Sequence, residues 1–364
     1  IKTINFPADI AAIEDRLNKI DPARYGATRN HKDGAVTYLS PYISRGVIST
    51  KQVYLHLKSL DLPWYKIEKL IQELAWRDYW QQVWIEKKEG IKQDLKNPQH
   101  PISNHQVPEA IVKAQTGIGA VDEAIKELYK TGYMHNHMRM YVASICCNIA
   151  RCHWLVPAQW MHSHLLDGDL ASNHLSWQWV AGAFSNKKYY ANQENINAFF
   201  KSSQKNTFLD VEYSAFPDLE IPHELSHTQA LDVESMLPKV PEPLLEKQKS
   251  TLVYNYYNLD PYWHKTDDVQ RILLLEPSFF KENPISQKCL DFAIELSKNI
   301  EGIQLFVGEF AALQEKVDTS CIVYKEHPTN GHYQGIEEPR EWLSSVSGYF
   351  SSFFKFWKKC KKEL

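Results

Sequence analysis

Residues 131–182, TGYMHNHMRMYVASICCNIARCHWLVPAQWMHSHLLDGDLASNHLSWQWVAG, constrain the fold more than any other stretch. In the first half, Met134, Met138, Val142 and Ile145 recur at three- and four-residue spacing, the period of a helix with one apolar face. Asn136, Arg139 and Met140 fall at i, i+3 and i+4, so an amide, a guanidinium and a thioether share a face of that helix. After Pro157 comes Asp167-Gly168-Asp169, two carboxylates across a glycine that can bend sharply. Asn173, Trp177 and Trp179 follow on a second short helix. Met and Trp at helical spacing are ordinarily core, and an acidic pair near a helix start is ordinarily a cap or a solvated turn. Neither reading accounts for Asn, Arg, two Asp, Asn and two Trp crowded into one otherwise apolar stretch.

Earlier in the chain, residues 7–20 are helical in pattern and Asp21-Pro22 ends them. Tyr25 to Gly34 reads as a loop, after which Thr37, Leu39, Ser40 and Pro41 begin the next helix. Hydroxyls at such a start are either plain N-caps or, with the free backbone N–H groups, a holder for phosphate. Residues 64–87 read as one long helix on which Glu73, Trp76, Arg77 and Trp80 line a single face. A carboxylate and a guanidinium one turn apart are usually a surface pair. The Trp between them suggests a cavity wall with polar groups aimed inward.

These blocks together resemble the cryptochrome/photolyase family. TGYMHNHMRM followed by LLDGDLASNHLSWQWVAG is similar to its flavin-binding core, and TYLSPYISRGVIS at 37–49 and ELAWRDYW at 73–80 agree in order and approximate spacing. The resemblance implies FAD bound in a U shape inside an all-helical domain, beside a cavity that admits a flipped-out pyrimidine pair. It implies cofactor contacts from Tyr25, Thr37, Leu39 and Ser40, the last three near the pyrophosphate, and from Arg77, Asn136, Arg139, Asp167, Asp169 and Asn173. Asn173 falls beside flavin N5, Asp167 and Asp169 near the ribityl chain and the ring, and Arg139 where it balances charge on the reduced ring. Glu73, Trp76, Asn136, Met140, Asn173 and Trp179 are the implied catalytic and lesion-contacting set. Glu73 hydrogen-bonds the lesion and Trp76 stacks on it, while Asn136 and Met140 stand where (6-4) photolyases use histidines, the pattern of dimer photolyases. Trp177 matches the flavin-proximal member of the electron-transfer chain and Trp154 the middle one; no Trp stands near Ile111, where the distal member falls. His137 replaces a frequent lesion-contacting Arg, Tyr133 replaces a frequent Trp, and the segment after Val180 departs from the family's common continuation.

Composition bounds the rest. Eleven Trp, 19 Tyr and 15 Phe suit a large aromatic core, electron transfer or stacking on bases. A net charge of −3 gives no global support to nucleic-acid binding, so any DNA-binding face must be a local basic patch. Six Cys without a CxxC pair read as buried free thiols, with no metal site expected. There is no apolar run long enough to span a bilayer; a cytoplasmic monomer is the expectation.

Residues 214–250 carry Pro217, Pro222, Pro238, Pro241 and Pro243 with scattered acids, a linker composition. TLVYNYY (251–257), RILLLEP (271–277), IQLFVGE (303–309) and CIVYKE (321–326) are short β-rich runs with a helical pattern between the second and third, which predicts a small parallel α/β layer. The expected fold is mainly α: a helical FAD-binding domain over 1–213, a linker over 214–250, a small α/β domain over 251–345 and a basic C-terminal helix over 346–364. The α/β part reads as a reduced, C-terminally placed version of the family's antenna domain, its second chromophore unassigned. FKFWKKCKKEL reads as a frayed helix rather than a membrane anchor. The expected activity is light-driven splitting of cyclobutane pyrimidine dimers in UV-damaged DNA, a deoxyribodipyrimidine photolyase reaction; the alternative is a blue-light photoreceptor that binds FAD without repair.

Overall fold

The computed structural model of the chain describes residues 3–364. In chain order the first helices are α1 (Ile10–Asn18), α2 (Pro22–Thr28), α3 (Ser40–Ser44), α4 (Thr50–Ser59) and α5 (Trp64–Lys87). Then come α6 (Glu109–Val112), α7 (Gly119–Thr131), α8 (Asn136–Ser144), α9 (Leu155–His164), α10 (Leu170–Ala181) and α11 (Gln193–Phe200). The last third adds α12 (Pro277–Glu282), α13 (Gln287–Ser297), α14 (Phe310–Gln314) and α15 (Phe353–Cys360). A short antiparallel pair, β1 (Val107–Pro108) with β2 (Thr228–Gln229), stands apart from a five-stranded sheet. That sheet comprises β3 (Thr251–Tyr254), β4 (Gln270–Leu275), β5 (Ile303–Val307), β6 (Ile322–Lys325) and β7 (Ile336–Glu338). The chain is therefore mixed α/β and not purely helical.

Two compact units emerge, each discontinuous in sequence. The first is built mainly from Asp21–Val36 and Lys87–Val233, the second from Asn5–Ile20, Thr37–Glu86 and Glu234–Leu364.

In the first unit α7 to α10 surround a core that includes Leu128, Met138, Tyr141, Val142, Trp154 and Trp177. Gly132 closes α7 at φ +76, and a Cβ there would lie 2.4 Å from Leu166 Cγ, so the turn that launches α8 requires glycine. After α8 the backbone widens into a π-helical turn over Ile145–Ile149. The turn buries Asn148, whose Nδ2 donates to the Val180 carbonyl at 3.0 Å and the Tyr189 carbonyl at 2.7 Å. Cys146, Cys147 and Cys152 are fully buried free thiols, and burial pushes all three thiols up. The reading of Tyr25 as loop is corrected here. Asp21 caps α2 by accepting from Arg24 N, Pro22 occupies its first turn, and Tyr25 lies inside the helix.

In the second unit the sheet runs in the order β5-β4-β3-β6-β7 with every pair parallel. Leu252, Val253 and Tyr254 with Ile272 to Leu275 are buried without alternation, as strands covered on both faces must be. The four strands expected from apolar runs are β3 to β6; β7 was not foreseen, because its Ile336 is solvent-facing and its neighbours are glutamates. The C-terminal helix is also corrected. Phe353, Phe356, Trp357 and Cys360, at i, i+3, i+4 and i+7, are all buried, so α15 is a docked amphipathic helix and not a frayed one. Among the described residues, no helix is long and apolar enough to cross a membrane.

Candidate cofactor and substrate site

On the first unit the polar residues of the central stretch are tied into a specific arrangement. Arg139 forks onto Asp167 with two hydrogen bonds, Nη1 to Oδ1 at 3.0 Å and Nη2 to Oδ2 at 2.8 Å. Its Nε donates to the Met134 carbonyl at 2.8 Å, at the turn leading into α8. Asp167 is buried, so the pair is a charge-assisted fork largely removed from water. Gly168 packs tightly: a Cβ would meet the His162 and Leu165 carbonyls at 3.0 Å. Asp169, also buried, is the N-cap of α10 and accepts from Ser172 N at 2.8 Å and Ser172 Oγ at 3.1 Å.

Asn173 comes one turn later. Its Nδ2 donates to the Ala158 carbonyl at 2.9 Å and stands 3.2 Å from His174 Nδ1. Its Oδ1 accepts no hydrogen bond from any described residue, which leaves an acceptor on a half-buried, firmly held amide. Met140 is half-buried against the core, whereas Asn136 at the start of α8 is exposed. Trp177 and Trp154 are sealed from water; Trp154 Nε1 donates to Asp94 Oδ1 at 2.7 Å. Trp179 is 39% exposed, its ring 6.0 Å from that of Tyr189. His135 caps α8, accepting from His137 N at 3.1 Å, and burial pulls both imidazoles down to about 4.

On the second unit, Thr37 Oγ1 accepts from Leu39 N at 3.3 Å, Leu39 is buried, and Ser40 opens the five-residue α3. Arg77 Nη2 donates to Ser44 Oγ at 2.6 Å. Glu73 pairs with Lys69 at 3.1 Å, one turn back on α5, with both side chains about a third exposed (32% and 34%). Trp76 lies face to face with Phe353 of α15, ring centroids 3.8 Å apart and planes 13° apart. The face of α5 expected to form a cavity wall is thus partly covered by the chain's own C-terminal helix. Next to it Asp78 is buried, accepting from Thr50 Oγ1 at 3.0 Å and from Leu343 N at 2.8 Å.

Sequence reasoning did not single out Asp94, Asp78 or His174. Asp94 sits in a lysine-rich surface stretch, and Asp78 and His174 on helices already explained by other side chains. No local signal marks any of them, because each matters through partners supplied by other segments.

The helical unit thus holds a buried guanidinium–carboxylate fork and an oriented carboxamide with an open acceptor, polar groups that a ligand can engage. Comparison with known proteins agrees. A family profile described as the FAD-binding domain of DNA photolyase matches residues 70–210. A deoxyribodipyrimidine photo-lyase of Synechococcus sp. is 34% identical over 190 residues, 49% of this chain and 39% of that protein. A photo-lyase of Alkalihalophilus pseudofirmus is 29% identical over 146 residues, covering 39% of this chain and 30% of that one. A cryptochrome DASH of Synechocystis sp. is 33% identical over 186 residues, 48% and 38% of the two chains. The crystal structure of Synechocystis sp. PCC6803 cryptochrome superposes with a TM-score of 0.51 at 28% identity, over 54% of this chain and 44% of that one. Over this FAD-binding segment the chain is similar to photolyases and cryptochromes. It spans about a third of the length of the first curated relatives it matches, between 30% and 37%.

Proposed function

We propose that the chain is a light-driven flavoprotein of the photolyase type that splits cyclobutane pyrimidine dimers in DNA. The observation that carries the reading is the state of Asn173: an amide whose Nδ2 is engaged and whose Oδ1 is left to accept from a ligand. A neutral acceptor of this kind suits the N–H of a reduced isoalloxazine, the form from which repair starts. The chemistry that FAD would supply there is light-driven one-electron transfer to the dimer, with the electron recovered once the ring bonds are broken.

The chain's own residues do the holding. Arg139, kept ionised by Asp167, supplies fixed positive charge where a reduced ring would carry negative charge. Asp169, bound to Ser172, fixes the start of α10 and with it the direction of Asn173. Met140 and Asn136 offer no acid to a substrate, consistent with a reaction that needs no proton donor at the lesion. Trp177 and Trp154, both shielded from water, are the side chains we assign to electron supply from the protein. Tyr25, Thr37, Leu39, Ser40 and Arg77 are assigned to the cofactor, and Glu73, Trp76 and Trp179 to the substrate, on the family resemblance. A dimer reaches such a site only after leaving the duplex, so extrusion of the lesion belongs to the reading.

A second reading, a photoreceptor that binds FAD and does not repair, is favoured by one contact: Phe353 already stacks on the ring assigned to the lesion. Blue-light conversion of an oligonucleotide carrying one thymine dimer, by the FAD-loaded chain reduced in the dark, separates the two. Restoration of the thymines supports repair; an unchanged oligonucleotide with intact, light-responsive FAD supports the photoreceptor.

A further inference from the structure

Asn173 is followed on α10 by a histidine that is fully buried and takes no part in the reading above. His174 Nδ1 lies 3.2 Å from Asn173 Nδ2, the same nitrogen that donates to the Ala158 carbonyl at 2.9 Å. Trp154 lies edge-on to the imidazole at 5.8 Å and His162 at 6.0 Å. His174 Nε2 is sealed from water and has no hydrogen-bond partner among the described residues.

We propose that His174 is a positioning residue that, through its unprotonated Nδ1, locks the Asn173 amide with Nδ2 inward and Oδ1 toward the cofactor. An amide can be turned over, exchanging donor and acceptor, unless its neighbours choose for it. Here both neighbours choose alike: the Ala158 carbonyl accepts only, and Nδ1 accepts when the ring proton is on Nε2. A proton on Nδ1 would set donor against donor. Burial holds the imidazole well below its ordinary value, helped by His162 and by the Lys92 charge, so the ring stays neutral and its lone pair stays available. Nε2 is unpartnered in either tautomer, so among the described residues the contact at Nδ1 is what selects the position of the ring proton. The consequence is selectivity: Asn173 becomes an acceptor that favours a cofactor carrying N–H at the facing position, the reduced form, over one carrying a bare nitrogen. This inference rests on the proposed placement of Asn173 beside flavin N5.

The test is redox titration of FAD bound to the chain in three variants. His174→Leu keeps an apolar side chain in the buried site and removes the acceptor. At fixed potential it should lower the ratio of reduced to oxidised FAD about fivefold, the worth of one hydrogen bond. His174→Gln, whose Oε1 can accept, should restore most of the ratio. Asn173→Leu should lower it at least as far. If Asn173→Leu changes the ratio and His174→Leu does not, the positioning role is wrong while the N5 placement survives. If Asn173→Leu changes nothing, the placement itself fails and this inference falls with it. The imidazole nitrogen shifts of His174 in the unsubstituted, FAD-free chain give a second reading that needs no buried substitution. An acceptor-type Nδ1 with the proton on Nε2 is expected, and a protonated Nδ1 overturns the proposal.

Discussion

Trp76 and Phe353 stack with centroids 3.8 Å apart and planes 13° apart, joining the middle of α5 to the first turn of the C-terminal helix. The contact is one part of a wider seam. Tyr79 Oη donates to the Phe350 carbonyl at 3.0 Å, Phe356 lies 5.7 Å from the Tyr79 ring, and Lys361 reaches Glu68 at 2.5 Å. Phe353 is 3% exposed, so its ring is core and not a surface ornament.

Phe353→Ala should therefore destabilise the chain by about 3 kcal/mol, the usual cost of emptying a buried aromatic site. Combined with Trp76→Ala in a double-mutant cycle, the two should couple by about 1 kcal/mol through the lost stack. Denaturant unfolding of the four proteins measures both. Additive losses would mean that the rings are merely neighbours.

Asp167→Asn should cost about 3 kcal/mol, because it leaves the Arg139 guanidinium largely buried with no countercharge. The double replacement Arg139→Met with Asp167→Leu removes both charges and should recover much of that stability. FAD retention after gel filtration separates the two effects: both variants are expected to lose cofactor, and only the single one to lose fold stability.

Asp78 gives the second unit a pH dependence of unusual sign. Burial raises its carboxyl from 3.8 to about 6, although the Leu343 N–H, the Thr50 hydroxyl and the nearby Arg340 and Arg77 charges pull it down. The folded chain thus binds this proton more tightly than the unfolded one. The associated stability is fully present below the unfolded value and is lost as pH rises through about 6. The loss is about 2–3 kcal/mol. Asp78→Asn should flatten stability against pH between 4 and 7, roughly the span of that transition. A slope left unchanged would assign it elsewhere.

The first unit should respond the other way. Burial holds His135, His137 and His164 down at about 4 from an ordinary 6.5, with the charge of Arg139 adding at His135 and those of His31 and Arg29 at His137. Their unfolded forms take up protons first, so stability is present above 6.5 and is lost as pH falls through about 4. Each contributes on the order of 2 kcal/mol after allowance for partial contact with solvent. His164→Phe should reduce the acid loss by one such step. Hydrogen exchange at pH 5 and pH 7, read on α8 and α9, measures it.

Much of this architecture was legible in the chain itself. The helix over 64–87 coincides with α5, and the apolar runs after residue 250 became β3 to β6, because periodicity and strand burial depend on neighbours a few residues away. Asp169 at the start of α10 is likewise a local capping event. The four spaced blocks carried the family resemblance, since they are a pattern of residue types that survives without coordinates. Other features were settled only by tertiary structure. Tyr25 moved from loop to helix once Asp21 and Pro22 were seen to start α2 and not merely to end the helix before it. The exposed edge strand β7 has no apolar run to announce it, and exists because β6 offers it a row of unpaired backbone groups. Which ring covers Trp76, which carboxylate holds Arg139 and which way the Asn173 amide faces were decided by segments distant in sequence. A stacking face, a guanidinium and an amide each accept many partners, and only the packed chain brings one of them within reach.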